Sequence, residues 1–294
     1  MGTKGFFRAT GLPIVAAMVS TAPHPVPPTA TETLSLPGQA PMALRVWGRK
    51  PRGARLPLVL HFHGGTFTSG DMDSGACLAE LLAEAGAIVA SLDYPLAPAH
   101  RFPVAVEAGH AALGWLHKQR TRLAGKDAPL FVAGEEAGGN LAAAVALMAR
   151  DRAAPPLAGQ ILVAPMLDPC NATASLREKL GSCTECKWAD GWQQYLRGPM
   201  DAEHPYAVPG LAQRLAGLPP TLILTSSDDP LRDEALAYAE RLRGAGIAVH
   251  GGLLQPATGW PESLSEQPAD ACPFADDVRA QLRAFLQATA PPPS

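Results

Sequence analysis

Apolar segments of strand length alternate along the chain with segments of helical character. Residues 56–62 and 129–133 are apolar runs short enough to be buried strands, and residues 246–254 form a similar run near the end. Residues 140–150 are rich in alanine and leucine, and residues 275–289 complete the pattern with a closing helix. Alternating strands and helices predict an α/β fold with a mostly parallel central sheet flanked by helices.

A tight turn joins the second of these strands to the helix that follows it. Residues 134–138 read Gly-Glu-Glu-Ala-Gly, with Glu136 at the centre. In the G-x-S-x-G elbow of hydrolases such a turn lifts a serine hydroxyl to the top of the sheet, and its flanking glycines are needed because a Cβ would clash. Here the glycines are present and the serine is replaced. The same five residues also fit an ordinary strand-to-helix turn, in which small residues allow close packing.

The first apolar run continues directly into His63-Gly64-Gly65-Thr66. Glycines after a strand allow backbone N–H groups to approach a developing negative oxygen, as in an oxyanion loop. A glycine-rich turn without a ligand is the alternative interpretation. The two motifs together favour a hydrolase-type site more strongly than either motif does alone.

Three further motifs connect the chain with a known family. They are Asp-Tyr-Pro-Leu-Ala-Pro-Ala-His-Arg-Phe-Pro at 93–103, Pro-Met-Leu-Asp-Pro at 165–169 and Asp-Pro-Leu-Arg-Asp-Glu at 229–234. With the glycine loop and the elbow region, they make the chain resemble the hormone-sensitive-lipase branch of the α/β-hydrolases, the group of bacterial acetyl esterases and carboxylesterases. The resemblance covers roughly residues 40–288. It implies the α/β-hydrolase fold with a small helical lid.

The resemblance also assigns roles to individual residues. The nucleophilic serine of the family falls on Glu136, the aspartate before it on Glu135, and the triad acid on Asp229. The family histidine precedes a Gly-aromatic pair, which here is Gly259-Trp260, so Thr258 stands in its place. Two of the three catalytic members are therefore replaced, and we expect ordinary serine esterase turnover to be absent or very slow.

The oxyanion donors implied by the resemblance are the backbone N–H groups of Gly64, Gly65 and Ala137. The third glycine of the family loop is replaced by Thr66. These donors and the start of the following helix would still form an anion pocket. The Glu136 carboxylate would either turn back and fill that pocket or meet a polar group of a ligand.

Three hypotheses about function follow. The chain is an inactive homologue that binds a small ligand, as plant gibberellin receptors of similar fold do; or an enzyme that uses Glu136 as general base or nucleophile; or a residual carboxylesterase with an unrecognised triad. His250 is predicted to lie within the last strand, and His63 is expected to order the oxyanion loop. Neither is therefore the expected substitute for the missing imidazole.

Composition narrows the range of partners. A chain of 294 residues with 47% hydrophobic content can bury a large core, and its net charge of −3 gives no basic surface for nucleic acid. We expect a small-molecule ligand or ester-like substrate and no cofactor, and a homodimer stays open. Cys183 and Cys186, with Cys170 nearby, have zinc-like spacing, but free thiols in a reducing cytoplasm are the favoured interpretation, and no metal is predicted.

The ends and the lid leave alternatives open. Residues 1–30 are expected to be part of the lid or a signal peptide, so a cytoplasmic location is favoured while a periplasmic or secreted one stays open. The hydrolase domain is expected at 31–290, with no membrane span and a lid insertion at about 170–215. Trp188, Trp192 and Tyr195 in this insertion have helical spacing, which fits either ordinary packing or a wall of the ligand pocket.

Overall fold

The computed structural model describes residues 27–35, 41–170, 172–181, 186–255 and 257–290. Within these ranges the chain forms an eight-stranded sheet with the strand order β1-β2-β4-β3-β5-β6-β7-β8. The strands are β1 (Pro28–Leu34), β2 (Met42–Trp47), β3 (Leu58–Phe62), β4 (Ile88–Leu92), β5 (Leu130–Glu135), β6 (Gly159–Val163), β7 (Thr221–Ser226) and β8 (Val249–Leu254).

The sheet is antiparallel at one edge and parallel elsewhere. β1 pairs with β2, and β2 with β4, in antiparallel register, whereas every pair from β4 to β8 is parallel. The five strands from β3 to β7 are buried along their whole length, because helices cover both faces of the parallel part. The predicted fold class is confirmed.

Helices cover the two faces of the sheet. Residues alternate between the faces along each strand: in β3, Leu60 and Phe62 pack on the side of α2 and α3, and Val59 packs on the side of α1 and α9. The helices are α1 (Ala76–Glu84), α2 (Val104–Leu123), α3 (Ala137–Asp151), α4 (Ala174–Leu180), α5 (Lys187–Tyr195), α6 (Pro199–Ala202), α7 (Arg232–Gly244), α8 (Glu262–Glu266) and α9 (Ala275–Thr289).

The register of the central strands brings the two glycine motifs together. Phe62, the last residue of β3, lies opposite Gly134 of β5, and both strands run in the same direction. Their carboxyl ends therefore meet at one edge of the sheet. The loop that follows β3 and the turn that follows β5 become neighbours there.

Element boundaries differ from the sequence expectation at two places. The helix expected over 140–150 begins at Ala137. Glycine has a low helix propensity, but Gly138 packs against the backbone of Phe62 and Gly139 packs against Pro165, so both belong to the first turn. The last strand, expected over 246–254, begins at Val249. The closing helix has the expected bounds.

The segment at 170–215 carries α4, α5, α6 and a short 3₁₀ helix at Pro209–Leu211. β1 begins at Pro28, just before the expected domain boundary at residue 30, and residues 1–26 lie outside the described part of the chain. In the described ranges no helix combines the length and the apolar character that crossing a bilayer requires.

Candidate functional site

The turn between β5 and α3 has the backbone geometry of a nucleophile elbow. Glu136 at its tip has φ 51° and ψ −117°, a region that residues with a side chain rarely occupy. A Cβ at Gly134 would overlap the backbone of Gly138, and a Cβ at Gly138 would overlap the carbonyl oxygen of Phe62. The flanking glycines are thus required by close backbone packing, and the turn presents Glu136 at the carboxyl edge of the sheet.

The Glu136 carboxylate lies among hydrogen-bond donors from three directions. Its Oε2 accepts the backbone N–H groups of Gly65 at 2.7 Å and Thr66 at 3.2 Å. Its Oε1 accepts the indole Nε1–H of Trp188 at 2.9 Å. With 4% of its surface exposed, the residue exchanges most of its hydration for these donors.

The glycine loop divides its donors between two carboxylates. The N–H of Gly64 donates to Oε1 of Glu135 at 3.1 Å, whereas Gly65 and Thr66 serve Glu136. Ala137, the third expected donor, is the first residue of α3. The sequence marks Thr66 only as a departure from the family loop. It does not predict the hydrogen bond from the Thr66 N–H to Glu136, because every residue except proline has a backbone N–H.

His63 occupies the position expected of a residue that orders this loop. Its Nδ1 lies 2.8 Å from the carbonyl oxygen of Gly64, and its ring stacks on Tyr94 with centroids 4.3 Å apart. The Tyr94 hydroxyl donates to the carbonyl oxygen of His63 at 2.9 Å. Burial lowers the pKa of the imidazole, which favours the neutral ring.

Lys187 forms ion pairs with two carboxylates, those of Glu136 and Glu262. Its Nζ lies 3.3 Å from Oε1 of Glu136 and 3.1 Å from Oε1 of Glu262. Burial lowers the pKa of Lys187, but the two carboxylates outweigh this and raise the pKa overall, so the amine stays charged. Sequence reasoning missed both Lys187 and Glu262. The one available signal for Lys187 was its place directly before Trp188.

The side chains at the positions assigned to the triad acid and histidine form hydrogen bonds with different partners. Asp229 is 1% exposed and accepts the Thr225 hydroxyl at 2.6 Å and the Leu231 N–H at 2.8 Å. Burial raises the pKa of Asp229 to about 7. The Thr258 hydroxyl donates to Ser226 Oγ at 2.7 Å, so it bonds back to the strand that precedes Asp229.

A buried serine, histidine and carboxylate also line up beneath the loop. Ser91 Oγ lies 2.9 Å from His61 Nδ1, and His61 Nε2 lies 2.7 Å from Glu135 Oε2. The order of groups resembles a catalytic triad. Ser91 and His61 are both 0% exposed, on adjacent central strands, so no ester carbon can reach the hydroxyl. The chain of bonds ends on the Gly64 N–H and holds the loop in place.

The two tryptophans of α5 have different surroundings. Trp188 reaches Glu136 through its indole N–H. Trp192 packs beside Phe67 with ring centroids 5.1 Å apart, and Phe67 in turn stacks on Tyr195. In the described structure Trp188 contacts the site, while Trp192 belongs to the aromatic packing behind it.

A pocket of about 220 Å³ opens beside the carboxylate. Its walls combine the glycine loop with three carboxylates, one lysine and three serines. The lining residues are Gly64, Gly65, Thr66, Ser69, Gly70, Ser74, Glu135, Glu136, Lys187, Pro261, Glu262 and Ser265. Among the described residues no group of three or more His, Cys, Asp or Glu side chains has a metal-binding arrangement, and Cys183 of the candidate zinc motif lies outside those residues.

Known proteins similar to this chain include ester hydrolases. Esterase LipI of Mycobacterium tuberculosis is 38% identical over 68% of the chain, and the match spans 63% of LipI. Carboxylic ester hydrolase LipN of the same organism is 38% identical over 97% of the chain and 81% of LipN. The solved structure of a bacterial heroin esterase superimposes with a TM-score of 0.76 and 33% identity, covering 87% of this chain and 84% of that one.

The sheet, the elbow and the glycine loop define an α/β-hydrolase. The family model for the α/β-hydrolase fold matches residues 59–254. The chain belongs to this family, and its relatives LipN and LipI place it among homologues of carboxylic ester hydrolases.

Proposed function

We propose that this chain binds a small ligand and lacks serine-type esterase turnover, because the Glu136 carboxylate fills the backbone cradle formed by Gly65 and Thr66. The supporting observation is the pair of hydrogen bonds from these two N–H groups to Glu136 Oε2, at 2.7 and 3.2 Å. A cradle of this kind serves catalysis only when the developing oxyanion of the substrate occupies it. Here an internal carboxylate oxygen occupies the same donors.

The magnitude of the expected defect follows from two losses. Loss of the triad leaves serine hydrolases with a residual acceleration of about 10³–10⁴ over water, which comes from the oxyanion hole and substrate binding. Loss of one oxyanion donor alone costs about 10²–10³ in kcat. Glu136 both replaces the nucleophile and occupies the cradle. We therefore expect the residual acceleration to disappear as well.

The Thr258 position supports the same proposal. A threonine hydroxyl does not accept a proton at neutral pH, and this one is committed to Ser226. An acyl-enzyme on any nucleophile near the cradle would therefore lack the base that activates water for its hydrolysis. We assign Asp229, Thr258 and Glu136 to the former triad positions on this basis.

Glu136 as a general base is the second candidate function. The observation that favours it is its place in the wall of an open pocket, beside a lysine that could orient a polar substrate. Both carboxylate oxygens already accept hydrogen bonds from the protein, so proton abstraction would require Glu136 to leave the cradle. The inactive binding protein is therefore the better-supported proposal.

Turnover of p-nitrophenyl acetate by a series of variants tests the proposal. We expect the wild-type protein, Glu136→Gln and Ser91→Ala all to match the uncatalysed rate. The double variant with Glu136→Ser and Thr258→His places a hydroxyl and an imidazole at the positions assigned to the nucleophile and the histidine. It is expected to gain turnover, while each single variant does not.

Other outcomes distinguish the alternatives. Wild-type turnover that is lost in Glu136→Gln would establish Glu136 as base or nucleophile. Wild-type turnover that survives that change and is lost in Ser91→Ala would identify a residual esterase that uses the buried serine, and would contradict the proposal.

A further inference from the structure

Two cysteines outside the site face each other across the fold. Cys77 lies in the first turn of α1, and Cys272 follows a 3₁₀ helix at Ala269–Ala271. Their Sγ atoms are 3.8 Å apart, and both are free thiols with 2% and 5% of the residue exposed. They are 195 positions apart in sequence, so spacing along the chain gave no sign of the pair.

The pair joins the two segments that wall the pocket. Ser69, Gly70 and Ser74 of one wall lead directly into α1, which carries Cys77. Glu262 and Ser265 of the opposite wall lie in α8, and the chain continues from there to Cys272. A covalent bond between the two sulfurs would therefore connect both walls behind the pocket.

We propose that Cys77 and Cys272 are a reversible disulfide-forming pair that hydroperoxides oxidise and dithiols reduce. The sulfurs must approach from 3.8 Å to about 2.0 Å, the length of a disulfide. Rotation about the two Cα–Cβ bonds supplies part of this approach, and a small shift of the segment around Cys272 supplies the rest. This proposal is independent of the function proposed for the Glu136 site.

The two thiols differ in reactivity. The hydrogen bond with Cys77 lowers the pKa of Cys272 although burial opposes it, and the same hydrogen bond together with burial raises the pKa of Cys77. Cys272, which is also the less buried of the two thiols, is the one that attacks the oxidant. Cys77 is the partner that resolves the product.

The chemistry balances with one peroxide for each disulfide. The Cys272 thiolate attacks hydrogen peroxide, the O–O bond breaks, and a sulfenic acid and hydroxide form. The Cys77 thiol then attacks the sulfenic sulfur, the S–S bond forms, and water leaves. In total, two thiols lose two electrons and two protons, and the peroxide becomes two molecules of water.

Mass spectrometry and thermal unfolding of the whole chain test the pair. In a background with Cys170, Cys183 and Cys186 changed to serine, stoichiometric hydrogen peroxide is expected to remove both titratable thiols and to yield a peptide linked through Cys77 and Cys272. The closed loop is long, so the link is expected to raise Tm by about 5–10 °C, and dithiothreitol should reverse the rise.

Matched variants identify the residues. Cys77→Ser and Cys272→Ser should each abolish both the link and the Tm rise, whereas Cys170→Ser in the wild-type chain should abolish neither. Persistence of both thiols after peroxide, oxidation of one cysteine without a link, or a link that dithiothreitol does not reverse would each overturn the proposal. Because the linked peptide is sought in a chain that keeps both cysteines, poor folding of a single variant does not decide the outcome.

Discussion

At the scale of single residues, Glu136 combines the backbone conformation of a nucleophile elbow with a carboxylate side chain. Its positive φ is imposed by the contact between the elbow and β3, where no Cβ fits at Gly134 or Gly138. Its carboxylate is satisfied by two backbone N–H groups, an indole and an amine. The side chain is therefore a structural part of the cradle it occupies.

Replacing Glu136 by glutamine should destabilise the protein. In the wild-type protein each oxygen of the Glu136 carboxylate accepts a hydrogen bond. The glutamine amide has the same shape, but its NH₂ group is a donor. In either orientation a buried donor loses its acceptor, which costs about 1–3 kcal/mol. Urea unfolding at pH 7 measures this change.

Glu262→Gln is the matched control, because Glu262 contacts the same lysine from a half-exposed position. Its loss should cost less than about 1 kcal/mol, as expected for a solvent-screened ion pair. Equal effects of the two substitutions would mean that the Glu136 carboxylate has no special role in the cradle.

Asp229 should make the stability of the fold depend on pH. Its pKa is raised to about 7 in the folded chain, whereas an unfolded aspartate titrates near 3.8. At a pH between these two pKa values, Asp229 is protonated in the folded state and ionised in the unfolded state. Its contribution to the free energy of unfolding is therefore fully present only at a pH below the lower pKa. The free energy of unfolding falls as the pH rises toward 7, by up to about 1.4 kcal/mol per pH unit.

Denaturant unfolding between pH 5 and 8 tests this dependence. We expect wild-type stability to decline relative to Asp229→Asn over this range. Asp228→Asn is the control: burial raises the pKa of Asp228, but hydrogen bonds from Thr258, Ser226 and Gly259 lower it overall, so its contribution is lost only under more acidic conditions. Parallel curves for wild type and Asp229→Asn would refute the assignment.

At the scale of elements, the β5–α3 unit depends on glycine where backbones touch. Gly138→Ala should destabilise the chain by more than about 3 kcal/mol, because its Cβ would overlap the Phe62 carbonyl oxygen and the rigid strand cannot move away. Gly114→Ala in α2 is the control, since in the described part of the chain no atom beyond the neighbouring helix backbone lies within 4 Å of its Cβ position. There alanine should stabilise the helix by about 0.5–1 kcal/mol, and thermal unfolding measures both changes.

Helix α5 offers a second matched pair in its two buried tryptophans. Trp188→Phe removes the indole donor of Glu136, whereas Trp192→Phe removes an Nε1–H that has no hydrogen-bond partner among the described residues. Both residues are 2% exposed, and both changes replace an indole by a phenyl ring, so burial and lost volume are matched. We expect Trp188→Phe to cost about 1–2 kcal/mol more in urea unfolding. A larger loss of stability in Trp192→Phe than in Trp188→Phe would contradict a stabilising hydrogen bond between α5 and Glu136.

At the scale of the whole molecule, the sequence predicted the layers of the fold and the meeting of the two glycine motifs. Apolar strands and flanking glycines carry local signals, and the order of parallel strands then brings their carboxyl ends together. It also pointed to Glu136 as the unusual residue, because the glycines around it were kept.

The contacts that decide the state of the site were beyond the sequence. The backbone donors of Gly65 and Thr66 are independent of side-chain identity, and the division of the loop between Glu135 and Glu136 depends on rotamers. Lys187 and Glu262 meet through tertiary packing across 75 positions of the chain, as do Cys77 and Cys272 across 195. No local pattern encodes such pairs.

The amide signals of Gly65 and Thr66 in the nuclear magnetic resonance spectrum test the central claim most directly. If the Glu136 carboxylate fills the cradle, both amide protons are shifted downfield and protected from exchange in the wild-type chain. Glu136→Ala should shift both upfield and remove the protection, and added acetate should restore both by entering the vacated site. Amide signals that are unchanged by Glu136→Ala would contradict the account, because the cradle would then not hold the carboxylate.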